Sequence, residues 1–285
     1  MSLSFDVFVV DAKPVPSKVP GFEEAMGPAT WPPSTSTLIR DGDRGLLVDC
    51  LITEAEGRSL ATWVNAHKCV PEYVYITHPH ADHFLGLPEI LGVFPDARPV
   101  ALAESIAAME EQVSPGYMQV WSGFFPGQLT GKPVVPAALP GRTVSIGDAT
   151  ATLIPVGTTD THHSSLVHVP ELGLVVSGDV VYNRTHMWMR GSTPESRASW
   201  MRALDAVAAL GPKTIVAGHR NPQAADDDAR RQLDECRRYV ADFEAALESS
   251  RSPAELIDRM TTAYPDLANP YTLWVAAYDL LSSRT

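Results

Sequence analysis

Residues 73–83 read YVYITHPHADH, an apolar segment followed at once by three histidines and an aspartate. The first five of these residues are aromatic or β-branched, a composition typical of a buried strand. The polar side chains therefore belong to the loop that leaves the carboxyl end of that strand, where ligands collect in open α/β sheets. Imidazole nitrogen and carboxylate oxygen are the donors that zinc and similar first-row ions prefer. The stretch predicts a metal site, and its candidate ligands are His78, His80, Asp82 and His83.

The order of later motifs extends this prediction. The spacing His-x-His-x-Asp-His after a strand is similar to the signature of the metallo-β-lactamase superfamily, which the chain resembles over nearly its whole length. Residues 172–179 (LGLVVSGD) look like the strand that ends in the family's metal-bridging aspartate, and residues 214–219 (TIVAGH) look like the strand that delivers its last histidine. The resemblance therefore implies that Asp179 and His219 complete the set of metal ligands.

The same resemblance implies the fold. It is an α/β fold, an αββα sandwich of two packed sheets with outer helices, and residues 36–39 and 45–49 resemble its opening hairpin. We expect one domain over residues 1–285, with a helical C-terminal portion at about 223–285. Alternation of strand and helix patterns supports this class. Apolar spacing predicts helices at 54–67, 195–210, 226–248 and 271–282, and strands at 144–154, 166–169 and 174–176. Region 101–140 is expected to start as a helix through Met109 and to continue as an irregular segment rich in glycine and proline.

One position departs from the family's pattern. The family usually places a third histidine for its first metal in a Gly-His-Thr segment, and here Thr158 occupies that place. Threonine is a poor zinc ligand. Asp160, His162 or His163 could replace it from a few residues further on, and Asp160 and His163 are our candidates. The resemblance implies two zinc ions per chain, or one if no replacement reaches the site, and another divalent first-row metal stays open.

Apolar side chains near the motifs suggest a substrate pocket. Met118, Trp121, Phe124 and Phe125 lie between the first and third motifs, where relatives carry the loop that covers the metals, and residues 187–189 (MWM) follow Asp179. Apolar walls around a few polar groups are typical of small-molecule sites. We therefore favour a small hydrophobic substrate, and the candidate contact residues are Trp121, Phe124, His186 and Trp188.

A mechanism follows from the resemblance. In the lactone-hydrolysing branch of the superfamily a tyrosine three residues after the bridging aspartate points into the site, and Tyr182 stands there. The implied enzyme is a metal-dependent hydrolase in which metal-bound hydroxide attacks the carbonyl of a lactone or carboxylic ester. Asp82 would pass on a proton, and the phenol of Tyr182 would stabilise the oxyanion. Two alternatives stay open: a thioester hydrolase of the glyoxalase II kind, and a non-catalytic metal-binding relative with a degenerate first site.

Composition limits the partners. The formal net charge of −12 argues against a nucleic-acid substrate, because a polyphosphate backbone would be repelled. Three scattered cysteines form no disulfide framework and indicate a reducing compartment. The first eleven residues lack the pattern of a signal peptide, and no apolar run reaches the roughly 20 residues that a membrane span needs. We therefore expect a cytoplasmic protein that binds a small molecule and no membrane; its oligomeric state stays open.

Overall fold

The computed structural model of the chain describes residues 3–282. The strands are β1 Ser4–Val10, β2 Lys13–Pro14, β3 Thr30–Trp31, β4 Ser34–Asp41, β5 Arg44–Val48, β6 Val70–Tyr75, β7 Arg98–Ala101, β8 Ala137–Ala138, β9 Thr143–Ile146, β10 Ala149–Gly157, β11 Ser164–Val169, β12 Leu174–Asn183 and β13 Thr214–Arg220. The α-helices are α1 Phe22–Met26, α2 Glu54–Ala66, α3 Leu87–Val93, α4 Ala103–Gln112, α5 Pro115–Phe124, α6 Pro194–Ala209, α7 Ala229–Ser249, α8 Pro253–Ala263 and α9 Pro270–Leu281.

The strands form two halves of one hydrogen-bonded sheet. The first half has the order β8-β7-β6-β5-β4, with β1 paired to β4, and the second has the order β13-β12-β11-β10-β9. A single residue pair, Ser34 with His219, joins β4 to β13. Strands β2 and β3 form a separate two-stranded sheet. The narrow junction lets the two halves fold onto each other, and it places His219 at the seam between them.

Alternating side chains explain the layers. On β5, Leu46 and Val48 join an apolar cluster with Leu153 and Val167 of the second half, whereas Leu47 lies in a different cluster with side chains of α2. Successive strand residues face opposite sides of a sheet, so β5 packs against the inner core on one face and against the outer helices on the other. Helices α6 and α7 cover the second half in the same way. The predicted αββα sandwich is confirmed.

Helices α1, α3, α5 and α8 were missed by the sequence patterns. Residues 115–124, expected to be irregular, form α5, which begins with Ser114 as N-cap and Pro115 at its first turn. Helix α8 likewise starts after Ser252, whose hydroxyl accepts a hydrogen bond from the Glu255 amide at 3.3 Å. The predicted helices agree with α2, α4, α6, α7 and α9 within a few residues. The predicted strand at 144–154 divides into β9 and β10, which pair as a hairpin.

The C-terminal portion contains α7, α8 and α9. The predicted single domain of residues 1–285 extends beyond the described residues at both ends and stays a prediction. No helix within residues 3–282 is both long enough and apolar enough to cross a bilayer.

Candidate metal centre

Seven candidate ligands converge where the two halves of the sheet meet. Strand β6 ends at Tyr75, and the histidine motif follows it, with a short 3₁₀ turn at residues 81–83. Asp179 lies within β12 and His219 within β13, two neighbouring parallel strands. Asp160 comes from the loop between β10 and β11. Elements of both halves thus contribute to one site.

The candidate ligands form two clusters. The first contains His78, His80, Asp160 and Asp179, and the second contains Asp82, His83 and His219; within each cluster one donor atom per residue lies within 4.8 Å of the others. Asp179 also faces the second cluster, because its Oδ1 is 3.4 Å from His83 Nε2 and its Oδ2 is 3.3 Å from His219 Nε2. Its Oδ2 is 3.9 Å from His78 Nε2. Asp179 therefore lies between the clusters, where a bridging ligand belongs.

Three imidazoles are oriented by partners outside the clusters. Nδ1 of His83 lies 2.9 Å from Asp49 Oδ2, and Nδ1 of His219 lies 3.1 Å from the carbonyl oxygen of Pro33. Nδ1 of His78 lies 3.0 Å from the hydroxyl of Thr77. Since each Nδ1 can donate its proton outward, each Nε2 can present a lone pair to a bound cation. Such outer partners are typical of metal-binding histidines.

Unpartnered buried atoms test whether the site fits a metal. His78 Nε2, His83 Nε2, Asp160 Oδ2 and Asp179 Oδ1 are all buried without a hydrogen-bond partner. His80 Nδ1 approaches Asp160 Oδ2 at 2.9 Å, but the two atoms are not aligned as a hydrogen bond. A buried polar atom without a partner destabilises the fold by about 1–3 kcal/mol. Nitrogen and oxygen donors that all point into one small space fit divalent zinc or a similar ion.

The charges of the site also fit a bound cation. Burial by itself would lower the pKa of His219, but the carboxylates of Asp179 and Asp82 outweigh it and raise that pKa to about 10. Burial also opposes ionisation of Asp82, yet the imidazoles of His83 and His219 hold its pKa well below the usual range. The buried carboxylates thus require positive charge beside them. Protonated imidazoles supply it here, and a bound cation would supply it in their place.

Glycine precedes two ligands because there is no room for a side chain. A Cβ at Gly218 would overlap Asp179 Oδ1 and lie 2.9 Å from His83 Cε1. Gly178 has φ of +50°, and a Cβ there would lie 2.9 Å from the Cβ of Thr77. Both glycines therefore allow β12 and β13 to bring their ligands against the histidine motif.

A cavity of about 580 Å³ opens onto both clusters. His80, Asp82, Asp160, Asp179, Tyr182 and His219 line one part of it, and the aromatic side chains that line it are Trp31, Tyr117, Trp121, Phe124 and Trp188. Arg190 and Asp279 also line it, and they form an ion pair of 3.1 Å with each other. An apolar wall facing a few polar groups is the usual form of a small-molecule site.

A second cavity, of about 370 Å³, lies on the other side of Tyr182. It is lined by Tyr182, by residues of α7 such as Cys236, and by Ala263 and Tyr264 at the end of α8. None of the seven candidate ligands lines it. The chemistry therefore belongs to the larger cavity.

Comparison with known proteins identifies the family. The sequence profile described as the metallo-beta-lactamase superfamily matches residues 29–219, which include all seven candidate ligands. The chain belongs to the metallo-beta-lactamase superfamily. No curated protein matches it. Together with the two ligand clusters, membership of this superfamily supports a metal-dependent hydrolase.

Solved structures of the superfamily share its fold at low sequence identity. The metallo-beta-lactamase FIM-1 from Pseudomonas aeruginosa, in its mono-zinc form, is 18% identical with a TM-score of 0.57, covering 84% of this chain and 91% of that chain. A metallo-beta-lactamase family protein from Thermus thermophilus is 16% identical with a TM-score of 0.64, covering 97% of this chain and 92% of that one.

The loop that departs from the superfamily's pattern brings in one of our two replacement candidates. Asp160 joins the first cluster with its side chain fully buried, and Thr159 Oγ1 donates a hydrogen bond of 2.8 Å to its Oδ1. His163 does not join. Its ring is exposed and its carbonyl oxygen accepts a hydrogen bond from Ser105. Thr158 also lies outside the cluster, where its hydroxyl is hydrogen-bonded to His162 Nδ1 at 3.1 Å.

The predicted contact residues divide in a similar way. Trp121, Phe124 and Trp188 line the large cavity, but His186 does not. The ring of His186 is buried, and its Nδ1 lies 3.0 Å from the hydroxyl of Tyr239. The His186 amide donates to the Ala268 carbonyl in the segment before α9, and the ring contacts Tyr239 of α7.

Two residues of the site were missed as site residues by the sequence reasoning. Asp49, at the end of β5, accepts hydrogen bonds from Thr77 and lies against His83. Its position after an apolar strand is the same signal that marked Asp179, so it could have been found. Trp31 donates from its indole Nε1 to Asp82 Oδ2 at 2.9 Å. No local pattern marks this tryptophan, which lies in a proline-rich segment far from the motif.

Proposed function

We propose that the protein is a zinc-dependent hydrolase of a small lactone or carboxylic ester with a hydrophobic acyl or aromatic part. The observation that carries this proposal is the large cavity, in which an aromatic wall stands opposite two converging ligand clusters. A hydrophobic substrate packed on that wall would bring its carbonyl toward the ligands. The aromatic wall is the feature that favours a hydrophobic substrate over a charged one.

The residues present can hold two ions. His78, His80 and Asp160 would hold the first, Asp82, His83 and His219 the second, and Asp179 would contact both. A divalent ion bound there supplies a water ionised near neutral pH and polarises the substrate carbonyl. Asp82 would pass on a proton from its position 3.3 Å from His219 Nε2. Zinc is the ion we propose, since imidazole and carboxylate are among its ordinary ligands.

Tyr182 is placed to act on the substrate oxygen. Its hydroxyl donates to Asp179 Oδ2 at 2.7 Å and lies on the boundary of the large cavity. Burial and the charge of Asp179 raise the pKa of Tyr182 well above its usual value, so the phenol keeps its proton at neutral pH. A protonated phenol can turn from the carboxylate to a developing oxyanion and stabilise it.

Two alternatives are weaker on this geometry. A glyoxalase II-like thioester hydrolase would need cations for the carboxylates of glutathione, and the one arginine among the cavity-lining residues, Arg190, is paired with Asp279. A non-catalytic relative was suggested by Thr158, but the buried carboxylate of Asp160 fills the gap in the first cluster. FIM-1 is named a metallo-beta-lactamase, so a β-lactam belongs in the test panel as well.

The experiment combines metal analysis with a substrate panel. Protein purified without chelator is analysed for metal and then tested on lactones of graded chain length, an aryl ester, a thioester and a β-lactam. We expect bound zinc and a value of kcat/KM that is highest for the lactones or the aryl ester and rises with chain length. Faster turnover of the thioester or the β-lactam would move the proposal to that substrate. Bound metal with no turnover of any substrate would support the non-catalytic relative.

The variant Tyr182→Phe tests the role of the phenol. Removing one oxyanion donor typically lowers kcat about 100- to 1,000-fold, and we expect a loss of about tenfold to a thousandfold here with metal content unchanged. The matched control is Tyr264→Phe, which removes a phenol hydroxyl bonded to Asp242 beside the smaller cavity. Equal activity of the two variants would show that Tyr182 is structural.

A further inference from the structure

We infer that Trp31 is a positioning residue that fixes Asp82 and links the aromatic wall of the cavity to the second ligand cluster. This inference rests on the proposed function, because Asp82 matters only if the cluster binds metal. It adds a residue that no sequence motif marks. The observation behind the inference is the position of the Trp31 indole. Its nitrogen contacts a candidate ligand, and its ring packs against the aromatic wall of the cavity.

The contact with Asp82 is specific. Trp31 Nε1 donates to Asp82 Oδ2 at 2.9 Å, and the same oxygen lies 3.3 Å from His219 Nε2. Both Trp31 and Asp82 are buried, at 5% and 4% exposure. An indole nitrogen is a donor only, so it can neither bind a metal nor accept a proton. It can therefore act on Asp82 only as a hydrogen-bond donor, which holds the carboxylate in a fixed orientation.

The indole itself is held tightly. Its ring centroid lies 5.5–5.8 Å from the rings of Trp121, Phe124, Phe125 and Trp188, three of them at steep edge-on angles. Three of these four rings line the large cavity. Aromatic pairs in such arrangements attract one another beyond the effect of their area burial. The backbone is fixed as well, because Trp31 pairs with Lys13 in the two-stranded sheet.

Asp82 therefore differs from the histidines of its cluster. His83 is oriented by a carboxylate and His219 by a backbone carbonyl, whereas the outer partner of Asp82 is part of the substrate cavity. A substrate that packs on Trp121 or Trp188 also confines the ring that holds Asp82. Trp31 thus connects occupation of the apolar wall with the orientation of one candidate ligand.

The test compares two tryptophan-to-phenylalanine variants. Trp31→Phe keeps an aromatic ring but removes the donor to Asp82. Trp121→Phe is the matched control, because Trp121 lines the same cavity and donates its indole proton to Gln112 at 3.0 Å instead. Zinc and cobalt(II) affinities are measured by chelator competition, and the cobalt(II) absorption spectrum reports the ligand geometry. Loss of an outer partner typically lowers metal affinity about 10- to 100-fold.

We expect Trp31→Phe to weaken the more affected of the two cobalt sites about 10- to 100-fold, to change the cobalt spectrum and to lower kcat more than it raises KM. Trp121→Phe should leave metal affinity and spectrum unchanged and should mainly raise KM for hydrophobic substrates. Unchanged affinity and spectrum in folded Trp31→Phe would overturn the inference while leaving the proposed function intact. Wild-type protein that binds no metal would overturn both.

A second measurement does not depend on the folding of Trp31→Phe. In wild-type protein carrying ¹⁵N-labelled indoles, the six tryptophan signals are assigned by single substitutions at the other five positions. Addition of zinc should shift the Trp31 indole signal, because Asp82 changes from a partner of imidazoles to a metal ligand. The Trp121 signal should stay in place. A Trp31 signal that does not move when two zinc ions bind would contradict the inference.

Discussion

The two ligand clusters are built from different kinds of structure. The second cluster takes His219 from the carboxyl end of β13 and Asp82 and His83 from a short turn, and Trp31 and other partners outside the cluster hold all three. The first cluster takes Asp160 from a loop, and its His80 keeps 20% of its side chain exposed to the cavity. One cluster is therefore held by outer partners and almost wholly buried, and the other is partly exposed.

This difference suggests how each cluster tolerates change. A ligand fixed by outer partners needs no reordering when a metal binds, whereas a ligand on a loop must be ordered by its own contacts. The chain replaces the superfamily's usual histidine at the loop and retains the motif where the ligands are braced. We therefore expect the first cluster to lose its ion more readily.

The largest effect is expected for Asp179→Ala, because Asp179 faces both clusters. Its oxygens lie 3.4 Å from His83 Nε2 and 3.3 Å from His219 Nε2, and removal leaves both clusters one ligand short. We expect the loss of at least one ion and a drop in kcat/KM of more than about 1,000-fold, since even loss of an outer partner costs about 10- to 100-fold in affinity. Elemental analysis and the substrate panel provide the measurement. Full metal content with normal turnover would exclude a bridging role.

A smaller and more selective effect is expected for Asp160→Ala. This change should lower the affinity for one ion by about 100-fold and leave the affinity for the other unchanged, because the second cluster does not contain Asp160. Asp160→His should restore much of the affinity by supplying an imidazole near the position where the superfamily usually has one. The matched control is His163→Ala, the alternative candidate, whose ring is exposed. Chelator competition monitors both ions, and equal losses in Asp160→Ala and His163→Ala would remove Asp160 from the ligand set.

Local patterns were enough for the parts of the fold that local physics determines. The aromatic and β-branched run before His78 predicted β6, which forms with the motif directly after it. The apolar stripe of residues 226–248 predicted α7, in which Leu233, Cys236 and Phe243 are buried. The apolar runs before Asp179 and His219 predicted strands at β12 and β13, whereas the resemblance to the superfamily singled out the two residues as ligands. For the strands and helices themselves, neighbouring residues carry the signal.

The remaining features depend on contacts between distant residues. Asp160 and His163 are three positions apart, and their sequence does not show which one turns inward. The direction is set by the backbone, since Gly157 and His163 have φ of +84° and +62° and reverse the chain between β10 and β11. Helix α5 was missed because Gly116 and Gly123 lower its helix propensity, so its formation depends on packing and on its cap. Trp31 lies 51 positions from Asp82, and only the folded chain joins them.

The smallest expected effect concerns His186, which lies outside both clusters. Its pKa is shifted in the opposite direction to that of His219. Carboxylates raise the pKa of His219, whereas burial without a carboxylate partner lowers the pKa of His186 to about 4 from a usual value of 6.5. Above pH 6.5 this side chain is neutral in the folded and unfolded states. As the pH falls, the unfolded state binds the proton first, so stability is lost between about pH 6.5 and pH 4.

The measurement is urea unfolding of wild-type protein and His186→Asn between about pH 7 and pH 5. From about pH 7 to pH 5 the unfolding free energy of the wild type should fall by about 2 kcal/mol relative to that of His186→Asn. Each unit by which the pKa of His186 differs between the folded and unfolded states contributes about 1.4 kcal/mol. Metal binding cancels in this difference, since both proteins keep every candidate ligand and are studied in the same zinc buffer. Parallel curves would mean that His186 takes up its proton as easily when folded as when unfolded. In that case the interior behind Tyr182 would accommodate a charged imidazole. The pKa of His186 would then differ less from that of His219 than the burial of His186 suggests.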